Sequence, residues 1–89
     1  MRINAHTFRK EIHIMAMILV YPEDNKNFGT EEKVVIQADT TPETMPTTGR
    51  NVQGLPDGCT ISPASILYTL DTCKKYIMDS TGTWHEWTA

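Results

Sequence analysis

The side chains able to carry chemistry in this 89-residue chain are few and widely spaced. His6, His13 and His85 lie far apart, and His85 sits between Trp84 and Glu86 in a strand-like terminal run. Adjacent strand residues point to opposite sides of a sheet, so a His-Glu neighbour pair is a poor couple for metal binding or proton transfer. Asp71 and Asp79 flank Lys74–Met78 and could be read as paired carboxylates, yet each stands in a turn cluster, where aspartate bonds the local backbone. Ser62, Ser65 and Ser80 lack a partnered histidine and the glycines of a nucleophile elbow. Cys59 and Cys73 are too few for a disulfide scaffold, and no further cysteine stands near a histidine at zinc-ligand spacing. They read as two thiols of a reducing compartment. Gly49, Gly54 and Gly58 are too widely spaced for a phosphate cradle, and no Lys-Ser/Thr pair follows a glycine. The expectation is a non-enzymatic protein with no catalytic, metal or cofactor site.

Aromatic and apolar residues are the remaining candidates. Tyr68, Tyr76, Trp84 and Trp87 form the main aromatic concentration. The tyrosines are expected in the core, while the tryptophans could close the chain against a neighbour, because aromatics serve both as core and as interface anchors. Met17, Leu19 and Tyr21 share one alternate set of an apolar run and complete the expected protein interface with Trp84 and Trp87. A glycan-stacking platform on the two tryptophans is the competing use.

Charge and length narrow the classes further. The formal net charge is −3 and the sequence pI about 5.5, with charges scattered and no basic run, so there is no electrostatic footprint for nucleic acid. The longest apolar run, Ile14–Tyr21, falls well short of the ~20 residues of a bilayer span. Arg2, Arg9 and Lys10 precede it as in a signal peptide, but Pro22-Glu23-Asp24 follows in place of a small-residue cleavage site. At 10.1 kDa the chain is one small domain with a modest core, for which oligomerisation is the expected prop.

The elements follow from periodicity. Residues 1–14 show no clear period and read as an N-terminal arm or, given Met15 and Met17, as a mis-assigned start. Ile12–Tyr21, apolar on both alternate sets from Met15 onward, predicts a strand covered on both sides, or covered on one side by the fold and on the other by a partner. Pro22–Thr30 reads as a loop, and Glu32–Ala38, with Val34, Val35 and Ile36 at its centre, as a strand pairing antiparallel with the first. Asp39–Gly58 is a long Thr/Pro/Gly segment in which Pro42, Pro46 and Pro56 oppose regular structure, held by Met45, Val52 and Leu55 packing down. The C-terminal stretch alternates as a β-meander: Ser65–Leu70, a reversal at Asp71–Lys74, Lys75–Met78, a turn at Asp79–Thr83, then Trp84–Trp87. The expected fold is all-β, a small antiparallel sheet or sandwich with an N-terminal hairpin, an extended loop and a C-terminal meander.

Two segments, EKVVIQADTTPETMPTTGRNVQGLPDG and PASILYTLDTCKKYIMDSTGTWHEW, occur in the order seen in a family of small bacteriophage and prophage structural proteins. From about Val34 to Trp87 the chain resembles these head-decoration or head-fibre-like virion proteins. It departs from their pattern at Cys73 and Ala64, where the pattern has glycine. If the Cys73 position needs a positive φ, a non-glycine residue there carries strain of about 1 kcal/mol. The resemblance implies a virion component of a tailed phage, made in the host cytoplasm, that docks on capsid or connector proteins. It also implies a homo-oligomer, with a trimer as one stoichiometry. The alternative is a receptor- or carbohydrate-binding module of a tail fibre. No catalytic residue is implied.

Overall fold

The computed structural model describes residues 16–23 and 25–88, and strands are the regular elements among them. In chain order they are β1 (Met17–Tyr21), β2 (Glu31–Glu32), β3 (Val35–Ala38) and β4 (Val52–Gln53), then β5 (Thr60–Ile61), β6 (Ile66–Thr69), β7 (Lys74–Met78) and β8 (Trp84–Glu86). A six-stranded sheet runs β4-β1-β3-β6-β7-β8, and β2 and β5 form a separate two-stranded sheet. The all-β class is therefore as expected. Residues 1–14, expected as an arm, and residues 12–15 of the expected first strand lie outside the described residues.

The C-terminal meander forms as its alternation dictates. β6, β7 and β8 pair antiparallel in succession, with Leu67 opposite Tyr76 and Ile77 opposite His85. β1 and β3 make the expected antiparallel pair, Met17 opposite Ala38 and Leu19 opposite Ile36. The sheet as a whole is mixed, because β4 runs parallel to β1 and β6 parallel to β3. A parallel return needs a crossover of about a dozen residues or more. Residues 39–65 provide it as a loop, since Pro42, Pro46 and Pro56 withhold backbone donors and oppose a helix. Within that loop Val52–Gln53 is a short strand, and the expected Glu32–Ala38 strand divides into β2 and β3. At the division the Val34 N–H has no ladder partner and donates instead to the buried Ser65 Oγ at 3.0 Å.

The core lies on one face of the large sheet. Met17 and Leu19 of β1, Ile36 and Ala38 of β3, Leu67 of β6 and Met78 of β7 turn inward. Leu55, Cys59 and Ile61, from the crossover and β5, pack onto them. Met45, expected to anchor the long loop, packs half-buried against this cluster, and Val52 and Leu55 are buried outright. Both cysteines are free thiols, Cys59 buried and Cys73 exposed. Burial pushes the Cys59 thiol above its ordinary range.

Two backbone positions show what the local sequence costs. Ala64 has φ 74° and Cys73 φ 56°, both in the left-handed region. Ala64 donates to Met78 O at 2.9 Å and Met78 donates to Ser65 O at 3.0 Å, so two residues oppose one, as in a bulge whose first position favours glycine. Cys73 closes the β6–β7 reversal. A left-handed L-residue costs about 1–2 kcal/mol, partly offset by the extra chain entropy a glycine would lose, about 0.4–1 kcal/mol. Ala64→Gly and Cys73→Gly are each expected to stabilise the fold by roughly 0.5–1 kcal/mol, raising Tm by several degrees in calorimetry. A fall in Tm for both variants would contradict this account of the turns.

Candidate interaction surface

Among the described residues, nothing covers the second face of the six-stranded sheet. Opposite-face parity puts Ile18 of β1, Gln37 of β3, Tyr68 of β6 and Lys75 of β7 in one row, and Trp87 continues it by donating its backbone N–H to Lys75 O at 2.7 Å. The next row carries Val35, Ile66 and Ile77 in register, with His85 at its β8 end. A bulge between Leu19 and Tyr21 breaks the alternation of β1 where it meets this row, so both Val20 (54 %) and Tyr21 (61 %) stand exposed beside Val35. Ile18, Tyr68, Leu70 and Trp87 are exposed as well.

The expected interface residues divide between the two faces. Tyr21 and Trp87 stand on the open face. Met17 and Leu19 do not: both are buried on the core side, opposite Ala38 and Ile36. The neighbouring set of the same strand, Ile18 and Val20, takes the outward positions. Trp84 lies opposite the buried Met78, packs half-buried against the core, and its indole N–H donates to Pro46 O at 2.7 Å. This bond pins the Thr/Pro loop to the sheet. Trp84 and Trp87 thus occupy opposite faces and form no shared stacking platform. Trp87 instead carries the Lys75 ammonium 4.5 Å from its ring centroid, a cation–π contact. Tyr68, expected in the core with Tyr76, instead stands 41 % exposed on the open face, because its register with Gln37 and Lys75 turns it outward, while Tyr76 packs half-buried against the core. Ile18 and Val20 were not singled out as contact residues; the apolar character of both parities of β1 was the signal for them.

Polar side chains at the rim are occupied with structure. Asp79 accepts from the Thr83 N–H at 2.9 Å, the Thr81 N–H at 2.9 Å and the Thr81 hydroxyl at 2.7 Å, and its other oxygen pairs with His85 Nε2 at 2.6 Å. Asp71 accepts from the Thr41 N–H at 3.0 Å and the Thr41 hydroxyl at 2.8 Å, tying the β6–β7 reversal to the start of the crossover. The two aspartates are thus turn and tether residues on separate loops. His6 and His13 lie outside the described residues, and His85 is bonded to Asp79. Among the described residues no three His, Cys, Asp or Glu side chains group as a metal site. A groove of about 540 Å³ lies along Thr40–Thr44, with Met17 and Asn51 on its wall and Glu43 as its one titratable side chain.

These bonds make stability acid-sensitive. The Thr83 N–H, the Thr81 hydroxyl and His85 hold the Asp79 carboxyl far below the usual range, and Thr41 does the same, less strongly, for Asp71. Glu32 is lowered by its 2.7 Å ion pair with Lys26 and by the Gly29 N–H. A carboxylate depressed in the folded state contributes stability that is fully present above its unfolded pKa of about 4 and is lost as pH falls through the folded value. Tm is therefore expected to hold from neutrality to about pH 5 and fall below about pH 4. Asp79→Asn should lower Tm at neutral pH and flatten the acid limb. An unchanged acid limb in scanning calorimetry would show that Asp79 is not among the responsible groups.

The architecture defines a class: a small all-β domain with a mixed sheet, a core on one side and an open apolar face on the other. No protein-family model matches the chain, and neither a curated protein nor a solved structure was found to match it.

Proposed function

We propose that this chain is a non-enzymatic structural component of a tailed-phage virion, docking on capsid or connector proteins in the manner of a head-decoration or head-fibre protein. The observation that carries the reading is the open sheet face, where exposed apolar residues from β1 and β6 surround the half-buried row Val35, Ile66 and Ile77. A contiguous apolar surface rimmed by polar groups is the mark of a protein contact. The left-handed backbone at Ala64 and Cys73 supports the resemblance on which the virion assignment rests, because the family pattern has glycine at both places. Many copies on a symmetric particle would let each contact be weak.

The carbohydrate-binding alternative draws no support from the tryptophans, whose rings lie on opposite faces. The test is mass spectrometry of gradient-purified particles induced from cells carrying the gene. The chain should co-purify at a fixed ratio to the major shell protein. Its absence from intact particles would overturn the virion assignment.

A further inference from the structure

The occupant of the open face can be narrowed. We infer that a second copy of this chain packs there, the two sheets meeting face to face about a two-fold axis, an inference that rests on reading this face as a protein interface. Area is the first argument. Ile18, Val20, Tyr21, Tyr68, Leu70 and Trp87 are between 39 % and 61 % exposed. At the areas usual for large side chains they leave on the order of 600 Å² of mostly apolar surface uncovered. That reaches the upper end of patches seen on monomers, about 300–600 Å². With the half-buried row Val35, Ile66 and Ile77 between them, the face approaches the ~800 Å² per partner of a standard stable interface.

Charge is the second argument. The chain carries net charge −3, so two copies repel wherever their acidic surfaces meet. On the open face the rows across β1, β3, β6 and β7 contain a single charged side chain, Lys75, and the Trp87 ring takes its ammonium. At the β8 rim, the Asp79 carboxylate is bonded by His85 Nε2 and by the Thr81 and Thr83 N–H groups. Among the described residues, two copies of these rows can meet with little like-charge repulsion. The rows offer almost no charge to recognise a strongly charged partner or an anionic membrane.

Architecture is the third. A sheet with one bare face is half of a sandwich, and a second sheet stacked about 10 Å away completes it. A two-fold contact requires only that the patch be complementary to itself. The row Val35, Ile66 and Ile77 across the central strands meets this requirement, because β-branched side chains interdigitate on a pleated surface.

Sedimentation equilibrium on the full chain tests this, from about 1 µM to about 200 µM. A reversible monomer–dimer equilibrium is expected in that range. Tyr68→Lys places two charges in the desolvated contact of a symmetric pair and should weaken dimerisation about tenfold or more. Its far-UV circular dichroism should match the parent, since Tyr68 points away from the core, with at most a small fall in Tm at the dilute end because the new lysine stands opposite Lys75. Ile18→Glu, on another strand of the same face, should act alike. A protein that stays monomeric, a trimer, or a dimer indifferent to both substitutions would each overturn the inference. The virion reading fails separately: absence of the parent chain from purified particles would overturn it whether or not the chain dimerises.

Discussion

Leu67→Ala is expected to remove about 3–5 kcal/mol of stability, enough to leave the domain largely unfolded near 37 °C. Leu67 is fully buried at the centre of β6, opposite Ile36 of β3 and Tyr76 of β7. Truncation loses the transfer free energy of the side chain and leaves a cavity that two flanking strands, held in register by their own ladders, cannot close. Set against the ~0.05–0.15 kcal/mol per residue of a typical domain, that loss is a large share of the whole. Urea titration followed by tryptophan fluorescence measures it, with Val20→Ala on the open face as control. Val20 is 54 % exposed, and its truncation should cost well under 1 kcal/mol. Equal losses for the two variants would mean that the core has been placed on the wrong side of the sheet.

Gly49→Ala is expected to be nearly as damaging, for a different reason. A Cβ at Gly49 would lie 2.0 Å from Pro56 O, 2.8 Å from Pro56 C and 2.9 Å from Leu55 Cγ. Pro56 O cannot withdraw freely, because it accepts the Cys59 N–H at 3.0 Å. Gly49 is held from its own side by its N–H on Cys59 O and by the Val52 N–H on its carbonyl, both at 2.9 Å. The added methyl therefore forces two tied backbone segments apart, at about 3 kcal/mol or more, the upper range of overpacking. Gly58→Ala is the matched control, since nothing lies within 4 Å of the added atom. Its effect should be close to zero. If the Gly49 variant melts with the parent in calorimetry, the close approach of these segments is not what shapes the crossover.

The role of Gly49 also shows where reading the chain alone stops. Its sequence context, a Thr-Thr-Gly between prolines, marks a loop and nothing more. The demand for glycine comes from Pro56, brought against it by the Cys59 bond. Ser65 is similar: as a residue it is one more serine at a strand start, but β3 and β6 lie side by side, and its hydroxyl then satisfies the buried N–H of Val34.

The amino-acid sequence by itself determined the class, the C-terminal meander and the places where the chain turns. Those features depend on alternation and turn chemistry acting over a few residues: Ile66 to Thr69 against Lys74 to Met78, with Asp71 and Asp79 in the reversals. The anchoring of the long loop by Met45, Val52 and Leu55 was equally legible, since those are the apolar residues such a segment has to bury. Tertiary structure alone decided three further matters. It chose which parity of β1 faces the core, because Ile18 and Val20 are as apolar as Met17 and Leu19, and local patterning cannot rank two apolar sets. It made the sheet mixed, because parallel pairing of β3 with β6 depends on how residues 39–65 cross over and not on either strand. And it separated Trp84 from Trp87, one bonded to Pro46 on the core side and the other lying with Lys75 on the open face. Strand register, fixed by long-range pairing, made that separation, and with it the surface on which association is expected.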